Sequence, residues 1–428
     1  MAIKVGLVGT GTVGGGCLEI LANHKNDFLR HFGIDIELAR VCSRSSEEAV
    51  RYGVEDIFTE DFNEIINDPS IDIVVEVVGG ISIAKDIVIG ALSAGKNVVT
   101  ANKALMATYG EEVMSLAEKM EKEIFFEASV GGGIPIIDPL KHSLIANEIT
   151  SVMGIVNGTT NYMLTRMAED GLTYEDALKE AQDKGFAEAD PTADVDGYDA
   201  AAKIAILASI AFNARVTIDE VPAEGIRNIT PNDLAAARDM GYSVKLLAHA
   251  HREKEGIDVR VHPTMIPVSH PLATVNGVYN AIYVIGDAVG ETMFFGEGAG
   301  AGPAASAIMG DVLECARHIQ AGIKPLVGCT CTDDLPFVPM DNLKTQYYIR
   351  FAVADRAGVL AAMAGVFAKY NVSIYSMVQR GEEQDGGTVD LVYVTHTAQE
   401  KSVRAALAEI AELDNVLRDE PSVIRVQS

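Results

Sequence analysis

The sequence predicts an α/β protein of several domains, and three observations carry that expectation. Its 428 residues exceed one ordinary domain and suffice for two or three. Residues 1 to 134 alternate short apolar runs with helical stretches, the pattern of a parallel sheet joined by crossover helices. Residues 345 to 428 read strand, helix, strand, strand, helix, strand, a ferredoxin-like unit. Hydrophobic residues make up 48% and charged ones 22%, enough apolar material for a sizeable core.

Residues 3 to 9, IKVGLVG, read as a buried strand. Gly9-Thr10-Gly11-Thr12-Val13-Gly14 follows, then a helix to about Asn23. Strand, G-x-G-x-x-G and helix in that order is the dinucleotide fingerprint in its required context. The first Gly makes the turn, the second admits the pyrophosphate, and the third lets helix and strand close together. Gly9, Gly11, Thr12, Val13 and Gly14 are therefore candidate cofactor contacts, with the helix amides holding the anion. The next strand, 36 to 42, ends in Ser43-Arg44-Ser45-Ser46. An enzyme using NAD usually places an acid there; a guanidinium among hydroxyls suits a 2′-phosphate. Arg44 thus favours NADP over NAD, which stays open, against the alternative of a solvated surface charge.

A strand at 71 to 78 ends in Gly79-Gly80, a helix covers about 83 to 94, and a strand at 96 to 100 runs into Thr100-Ala101-Asn102-Lys103. Ligands bind at the strand ends of such sheets, so Lys103 can face cofactor or substrate. After a helix at about 110 to 121 and a strand at 124 to 130 comes Glu127-Ala128-Ser129-Val130-Gly131-Gly132-Gly133-Ile134-Pro135. Three glycines and a proline predict unusual backbone with exposed carbonyls. On the residues alone a hinge is favoured over a bound cation.

Beyond Pro135 the pattern changes. Strands at 149 to 157 and 257 to 266, with helices near 160 to 169, 173 to 184, 197 to 212 and 231 to 240, predict a second α/β domain. Its centre is 185 to 212, GFAEADPTADVDGYDAAAKIAILASIAF. The loop-like start carries Glu188, Asp190, Asp194, Asp196 and Asp199. From Ala200 to Ala214 the only charge is Lys203, on a helix apolar nearly all round and so buried. Asp199, four residues earlier, shares its face. The pair is either an anchoring ion pair or an acid/base lysine with its partner carboxylate. The acids do not form an EF-hand: with Gly197 as the loop glycine, Thr192 falls at the first ligand position and Lys203 where the bidentate Glu belongs. A Gly-rich loop, with Gly298 to Gly302, then feeds a helix expected at about 303 to 322 that returns to the first domain and offers a second anion site. Pro325, Pro336 and Pro339 mark a linker over 323 to 344. In the last domain, strands at 347 to 355, 372 to 380, 388 to 395 and 422 to 427 alternate with helices at 356 to 370 and 398 to 412, with a Gly-rich turn at 386 to 387.

The net charge of -27 argues against nucleic acid or an anionic membrane as partner. The five cysteines, Cys17, Cys42, Cys315, Cys329 and Cys331, show no zinc or redox spacing, and only Cys17 lies near a cofactor or catalytic motif in sequence. A reducing cytoplasm fits them. The N-terminus starts a strand and does not read as a signal peptide, and no apolar run suggests a membrane span.

With these residues in view, the chain resembles the homoserine dehydrogenases that carry a C-terminal ACT domain, over essentially its whole length. The most specific parts are Gly9 to Gly14, Ala101-Asn102-Lys103, the Glu127 to Pro135 loop, Asn157-Gly158-Thr159-Thr160-Asn161-Tyr162, and Gly185 to Lys203. Asp355-Arg356-Ala357-Gly358-Val359-Leu360 resembles an ACT turn, with Ala357 where that pattern usually has Pro. No aspartate kinase region precedes the first domain, so the monofunctional type is expected. The resemblance implies NAD(P)-dependent interconversion of L-homoserine and L-aspartate 4-semialdehyde, in the biosynthesis of threonine, methionine and isoleucine. It implies Lys203 as acid/base and Lys103 at cofactor and substrate. It further implies Glu188 and Asp199 on the substrate, Glu188, Gly185 and Gly300 against the cofactor, and a sodium ion on backbone oxygens of Glu127, Val130, Gly132 and Ile134. With the resemblance, the cation reading of that loop rises above the hinge. It also implies a homodimer or homotetramer, with an amino-acid effector such as L-threonine at the ACT domain. The domains expected are 1–134, completed by the helix at about 303–322; a catalytic and dimerisation domain, 135–302; and an ACT-like domain, 345–428.

The chemistry of the residues agrees. Reducing an aldehyde builds negative charge on its oxygen, which an ammonium stabilises and protonates. Two lysines near one oxygen lower each other's pKa, favouring proton transfer. The residues alone do not separate Lys203 from Lys103 as the donor. One rival is another semialdehyde or hydroxy-acid oxidoreductase; a phosphorylating type would need a nucleophilic Cys. A second is a non-catalytic regulator that senses cofactor or amino acid, against which the intact Lys203, Asp199, Glu188 and Lys103 set argues.

Overall fold

The computed structural model describes residues 2–323, 325, 328–381 and 387–427. Residue 386 of the expected turn and residues 324, 326 and 327 of the expected linker lie outside them. The chain starts β1 (Ile3–Val8), α1 (Thr12–Asp27), β2 (Ile36–Cys42), α2 (Glu47–Arg51), β3 (Phe58–Thr59), α3 (Phe62–Ile66), β4 (Ile73–Glu76), α4 (Ser82–Ser93), β5 (Asn97–Thr100), α5 (Lys103–Lys119) and β6 (Ile124–Phe125). It continues β7 (Ile149–Ile155), α6 (Gly158–Asp170), α7 (Tyr174–Asp183), α8 (Thr192–Val195), α9 (Tyr198–Phe212), α10 (Pro231–Asp239), β8 (Tyr242–Glu253), β9 (Gly256–Pro267), β10 (Tyr279–Gly286), β11 (Gly290–Glu297) and α11 (Ala301–Ala321). The last part is β12 (Lys344–Ala354), α12 (Val359–Lys369), β13 (Ile374–Arg380), β14 (Thr388–Thr395), β15 (Ala398–Gln399), α13 (Glu400–Ala411) and β16 (Ser422–Val426). Two compact units result: Met1–Val152 with Ala202–Glu220 and Asn280–Leu335, and Met153–Ala201 with Val221–Tyr279 and Pro336–Ser428. No helix among the described residues is long and apolar enough to cross a membrane.

The first unit holds a six-stranded sheet in the order β3-β2-β1-β4-β5-β6, parallel throughout. Its central strands are near-continuous apolar runs because helices cover both faces. Ile3, Val5, Leu7, Ile36, Val41, Ile73 and Val75 pack into one core with Cys17 and Leu18 of α1 and Ile308, Met309 and Val312 of α11. The direction of the chain reverses between β1 and β4, and the crevice outside that switch point is where such sheets take ligands.

In the second unit β8 and β9 pair antiparallel, and β16 pairs with β9 in parallel, Arg425 opposite Thr264. The order runs β8-β9-β16-β12-β14-β13. On β12 every second residue, Tyr347, Ile349, Phe351 and Val353, turns into a core with Met363 and Phe367 of α12 and Val403 and Ile410 of α13. Arg425 is buried and anchors β16. Its guanidinium donates to Glu224 (2.6 and 2.9 Å) and to Glu400 (3.0 and 2.5 Å). Arg350 and the Tyr348 hydroxyl likewise donate to buried Asp233.

Three expectations change. The strand foreseen at 124 to 130 stops at Phe125, and Glu127–Ser129 form a 3-10 turn. The helix foreseen from 110 begins at Lys103, because the Asn102 side chain caps it by accepting from the Leu105 amide at 3.0 Å. β8, β10 and β11 were not foreseen. Lys245 and His249 are buried inside β8 and disguise its apolar face, while β11 falls in the stretch that reads as a glycine-rich loop.

Candidate active site

At the end of β1 the backbone turns through Gly9, φ +108°, where a side chain is strained and a Cβ would stand 2.6 Å from the Val77 carbonyl. A Cβ on Gly14 would lie 1.9 Å from the Gly9 carbonyl, so α1 closes onto the strand end as only glycine permits. Gly11, the N-cap of α1, has open space around it, and Gly11 and Thr12 are exposed while Val13 is half-buried. The first-turn amides of α1 therefore border an open cradle that fits a diphosphate. The Thr10 hydroxyl donates to Glu48 of α2 at 2.7 Å and fixes the loop. Arg44 is exposed two residues beyond β2.

A relay of hydrogen bonds shapes the neighbouring strand ends. Glu76 is fully buried at the end of β4 and accepts from the Thr100 hydroxyl (2.6 Å) and the Val78 amide (2.8 Å). Burial pushes its carboxyl up, and those bonds oppose the shift. The Asn102 side chain donates to the Gly80 carbonyl at 2.6 Å and caps α5. Lys103 is thereby set at the first position of α5. Glu76, Thr100 and Asn102 were not singled out as functional; an acid inside the apolar run IDIVVEVV was the available signal.

Lys203 is buried on α9, one turn after buried Asp199. Met106 and Gly110 of α5 and Ile206 and Ile210 of α9 line one cleft in the first unit. Ile206 and Ile210 stand three and seven residues after Lys203, and Met106 three after Lys103 and before the kink of α5 at Tyr109, so the helices bearing the two lysines border the same cleft. Gly185, Glu188 and Asp199 belong to the second unit. There Asn157 caps α6 through the Thr160 amide (2.9 Å) and donates to Asp194 (2.7 Å) and Asp199 (2.9 Å). Asn157 is a further residue to which no role was assigned. Glu188 and Gly185 are exposed, and Gln182 ties their loop to α7 by donating to the Glu188 carbonyl at 3.0 Å.

The 127–134 loop is built around Glu127. Its carboxylate accepts from the amides of Ile136, Ile137 and Asp138 at 2.5, 2.8 and 2.6 Å, so its side chain organises the backbone. Burial pushes the Glu127 carboxyl up; burial also raises Asp311, which accepts from the Glu127 amide at 2.9 Å. Gly132 has φ +57°, and a Cβ there would stand 2.5 Å from the Gly298 carbonyl. Beside Gly298 lies buried Asn280, whose amide oxygen and nitrogen have no hydrogen-bond partner among the described residues. An orphaned amide oxygen beside an irregular loop that offers backbone carbonyls has the donor chemistry of a hard-cation site. Gly300, φ +129°, caps α11 close by in sequence.

Comparison with known proteins adds three family matches. The family described as homoserine dehydrogenase, NAD binding domain, matches residues 9–127, homoserine dehydrogenase matches 135–313, and the ACT domain matches 347–413. A homoserine dehydrogenase of Synechocystis sp. is 44% identical over 100% of both chains. The crystal structure of one from Thiobacillus denitrificans superimposes with a TM-score of 0.93 at 41% identity, covering 100% of this chain and 99% of that one. A hyperthermophilic archaeal homoserine dehydrogenase in complex with NADPH matches at 28% identity and a TM-score of 0.64, covering 74% of this chain and 98% of that one.

Proposed function

The chain belongs to the homoserine dehydrogenase family, and from that premise we propose how its own residues carry the reaction. It is an NAD(P)-dependent oxidoreductase of amino-acid biosynthesis, interconverting L-homoserine and L-aspartate 4-semialdehyde. The observation that carries this is full-length identity of 44% to a homoserine dehydrogenase, with an open diphosphate cradle at the parallel sheet's switch point.

When bound, the dinucleotide supplies the hydride chemistry. Gly9, Gly11, Thr12, Val13 and Gly14 hold its diphosphate, and Gly185, Glu188 and Gly300 complete its contacts. Lys203 gives a proton to the aldehyde oxygen on reduction and takes it from the homoserine hydroxyl on oxidation. Lys103 is the second ammonium near that oxygen, opposing the developing charge. Glu188 and Asp199 attract the substrate's α-ammonium, with Asn157 orienting Asp199. NADP is the preferred cofactor: Arg44 is exposed at the end of β2, where a 2′-phosphate would lie, and the archaeal relative was solved with NADPH. The backbone oxygens of Glu127, Val130, Gly132 and Ile134 would hold a sodium ion; the orphaned Asn280 amide beside Gly298 supports that reading.

The domains divide at 1–134 with the α11 helix, 135–302 and 345–428. The enzyme works in the cytoplasm as a homodimer or homotetramer, and its ACT domain takes L-threonine as effector. A threonine titration leaving the rate unchanged at every salt tested sinks that last point. The reaction itself is tested by initial rates of L-homoserine oxidation with NADP+ and NAD+ in parallel. Activity with either upholds it, the ratio tests Arg44, and silence with both in cofactor-binding protein refutes it.

A further inference from the structure

The cleft bordered by α5 and α9 has a third wall, the segment Gly328 to Cys331. The reading that only Cys17 lies near a functional motif held for sequence distance and fails in space. The Cys331 sulfur stands 3.6 Å from the Ser209 carbonyl of α9, across 122 residues of chain, so its single S–H is shared between that oxygen and the Cys329 sulfur. Arg215, just past the end of α9, donates through Nη2 to the Cys329 sulfur at 3.3 Å. The Cys329 amide donates to Glu118 of α5 at 2.8 Å, which fixes the segment. Lys141 lines the same cleft. Both thiols are half-exposed, whereas Cys17, Cys42 and Cys315 are buried.

We propose that Cys329 and Cys331, held by Arg215, form a reactive dithiol, a modification site that hydroperoxides convert to an intrachain disulfide. Cys329 is the nucleophile. The Cys331 thiol, then the Cys331 amide and Arg215, hold its proton affinity down against burial, and the second proton of the pair is pushed up. The Cys329 thiolate attacks an oxygen of hydrogen peroxide, the O–O bond breaks, and hydroxide leaves and takes a solvent proton to become water, giving a sulfenic acid. The Cys331 sulfur then attacks the Cys329 sulfur and displaces hydroxide, which takes up the Cys331 proton as water. Two thiols lose two electrons in all, and one peroxide becomes two waters. The product has no S–H for Ser209 and no sulfur anion for Arg215. The first loss falls on α9, where Ser209 lies six residues, about 9 Å of helix, beyond Lys203, and the second falls just past its end.

The test alkylates reduced full-length protein with iodoacetamide and reads each cysteine by peptide mass spectrometry. Cys329 should react first, at a rate nearly level from about pH 6.5 to about pH 8. An ordinary thiol there gains roughly tenfold per pH unit. Burial pushes Cys17 up to about 12 and Cys42 up to about 11, so they serve as unreactive controls. Hydrogen peroxide should then remove two hydrogens from the 329–331 peptide and change turnover, both reversed by dithiothreitol. Cys331→Ser should stop at a sulfenic acid trapped by dimedone, and Cys329→Ser should block both steps. A Cys329 rate that climbs with pH as an ordinary thiol's does, or peroxide that spares the pair, overturns the proposal. A disulfide formed at unchanged turnover overturns its link to α9. The alkylation does not depend on the dehydrogenase reading, so the two fail separately.

Discussion

Two lysines are buried within regular elements, Lys203 in α9 and Lys245 in β8. Lys245 is a staple. Its ammonium donates to the Val275 carbonyl (2.6 Å), the Asn276 side chain (2.8 Å) and the Asn161 side chain (3.3 Å). Asn161 in turn donates to the carbonyls of Val275, Gly277 and Tyr279. Three donors meet three oxygens, and the charge serves to close the 275–279 loop onto β8 and α6. Lys203 follows a buried carboxylate by one turn, on the helix face that continues through Ile206 and Ile210 into the cleft shared with α5. Burial of an ammonium is common to both, so burial alone does not mark chemistry. What separates them is the setting: the Lys245 ammonium closes a loop within the fold, whereas Lys203 shares a helix face with residues that line a cleft.

The largest effect expected is on Lys203. Lys203→Met should lower turnover by about 10²–10⁴-fold, with cofactor binding and the urea midpoint close to those of the parent. Unchanged turnover in steady-state assays would move the acid/base role to Lys103 or to water. Lys245→Met should do the reverse. It strands three acceptors and should lower the unfolding free energy by about 2–3 kcal/mol in urea titrations, with turnover within about threefold.

The same lysine predicts a pH signature. Burial holds Lys245 down, to about 8, against an ordinary 10.5. Its folded pKa lies below its unfolded one, so above about pH 8 the unfolded chain binds the extra proton. The penalty for charging it is complete below pH 8 and fades as pH rises towards 10.5. Unfolding free energy should therefore rise across that window by about 3 kcal/mol in the parent relative to Lys245→Met. Parallel curves for the two proteins would break the assignment. An exposed cation completes the series: Arg44→Ser should leave stability unchanged and reduce the preference for NADP over NAD by about tenfold, roughly 1.4 kcal/mol, in paired kcat/KM measurements.

What was legible in the sequence is what is local. Gly9, Gly11 and Gly14 are spaced by the turn they make, and Asp199 and Lys203 by one helical turn. The final βαββαβ unit shows the period of its own core on β12. What was not legible depends on partners far along the chain. Glu76 finds Thr100 across 24 residues and Cys331 finds Ser209 across 122. β8 escaped because Lys245 and His249 occupy buried positions where the strand pattern calls for apolar residues. The 124 to 130 strand was overdrawn because the Glu127 carboxylate captures three amides and bends the chain, which no pattern of hydrophobicity records.

The most direct test assays L-homoserine-dependent reduction of NADP+ by the parent, Lys203→Met and Lys245→Met side by side, each shown to be folded by circular dichroism at the assay temperature. The account predicts activity in the parent and in Lys245→Met and its near-complete loss in Lys203→Met. Activity retained in Lys203→Met, or lost in folded Lys245→Met, would contradict it.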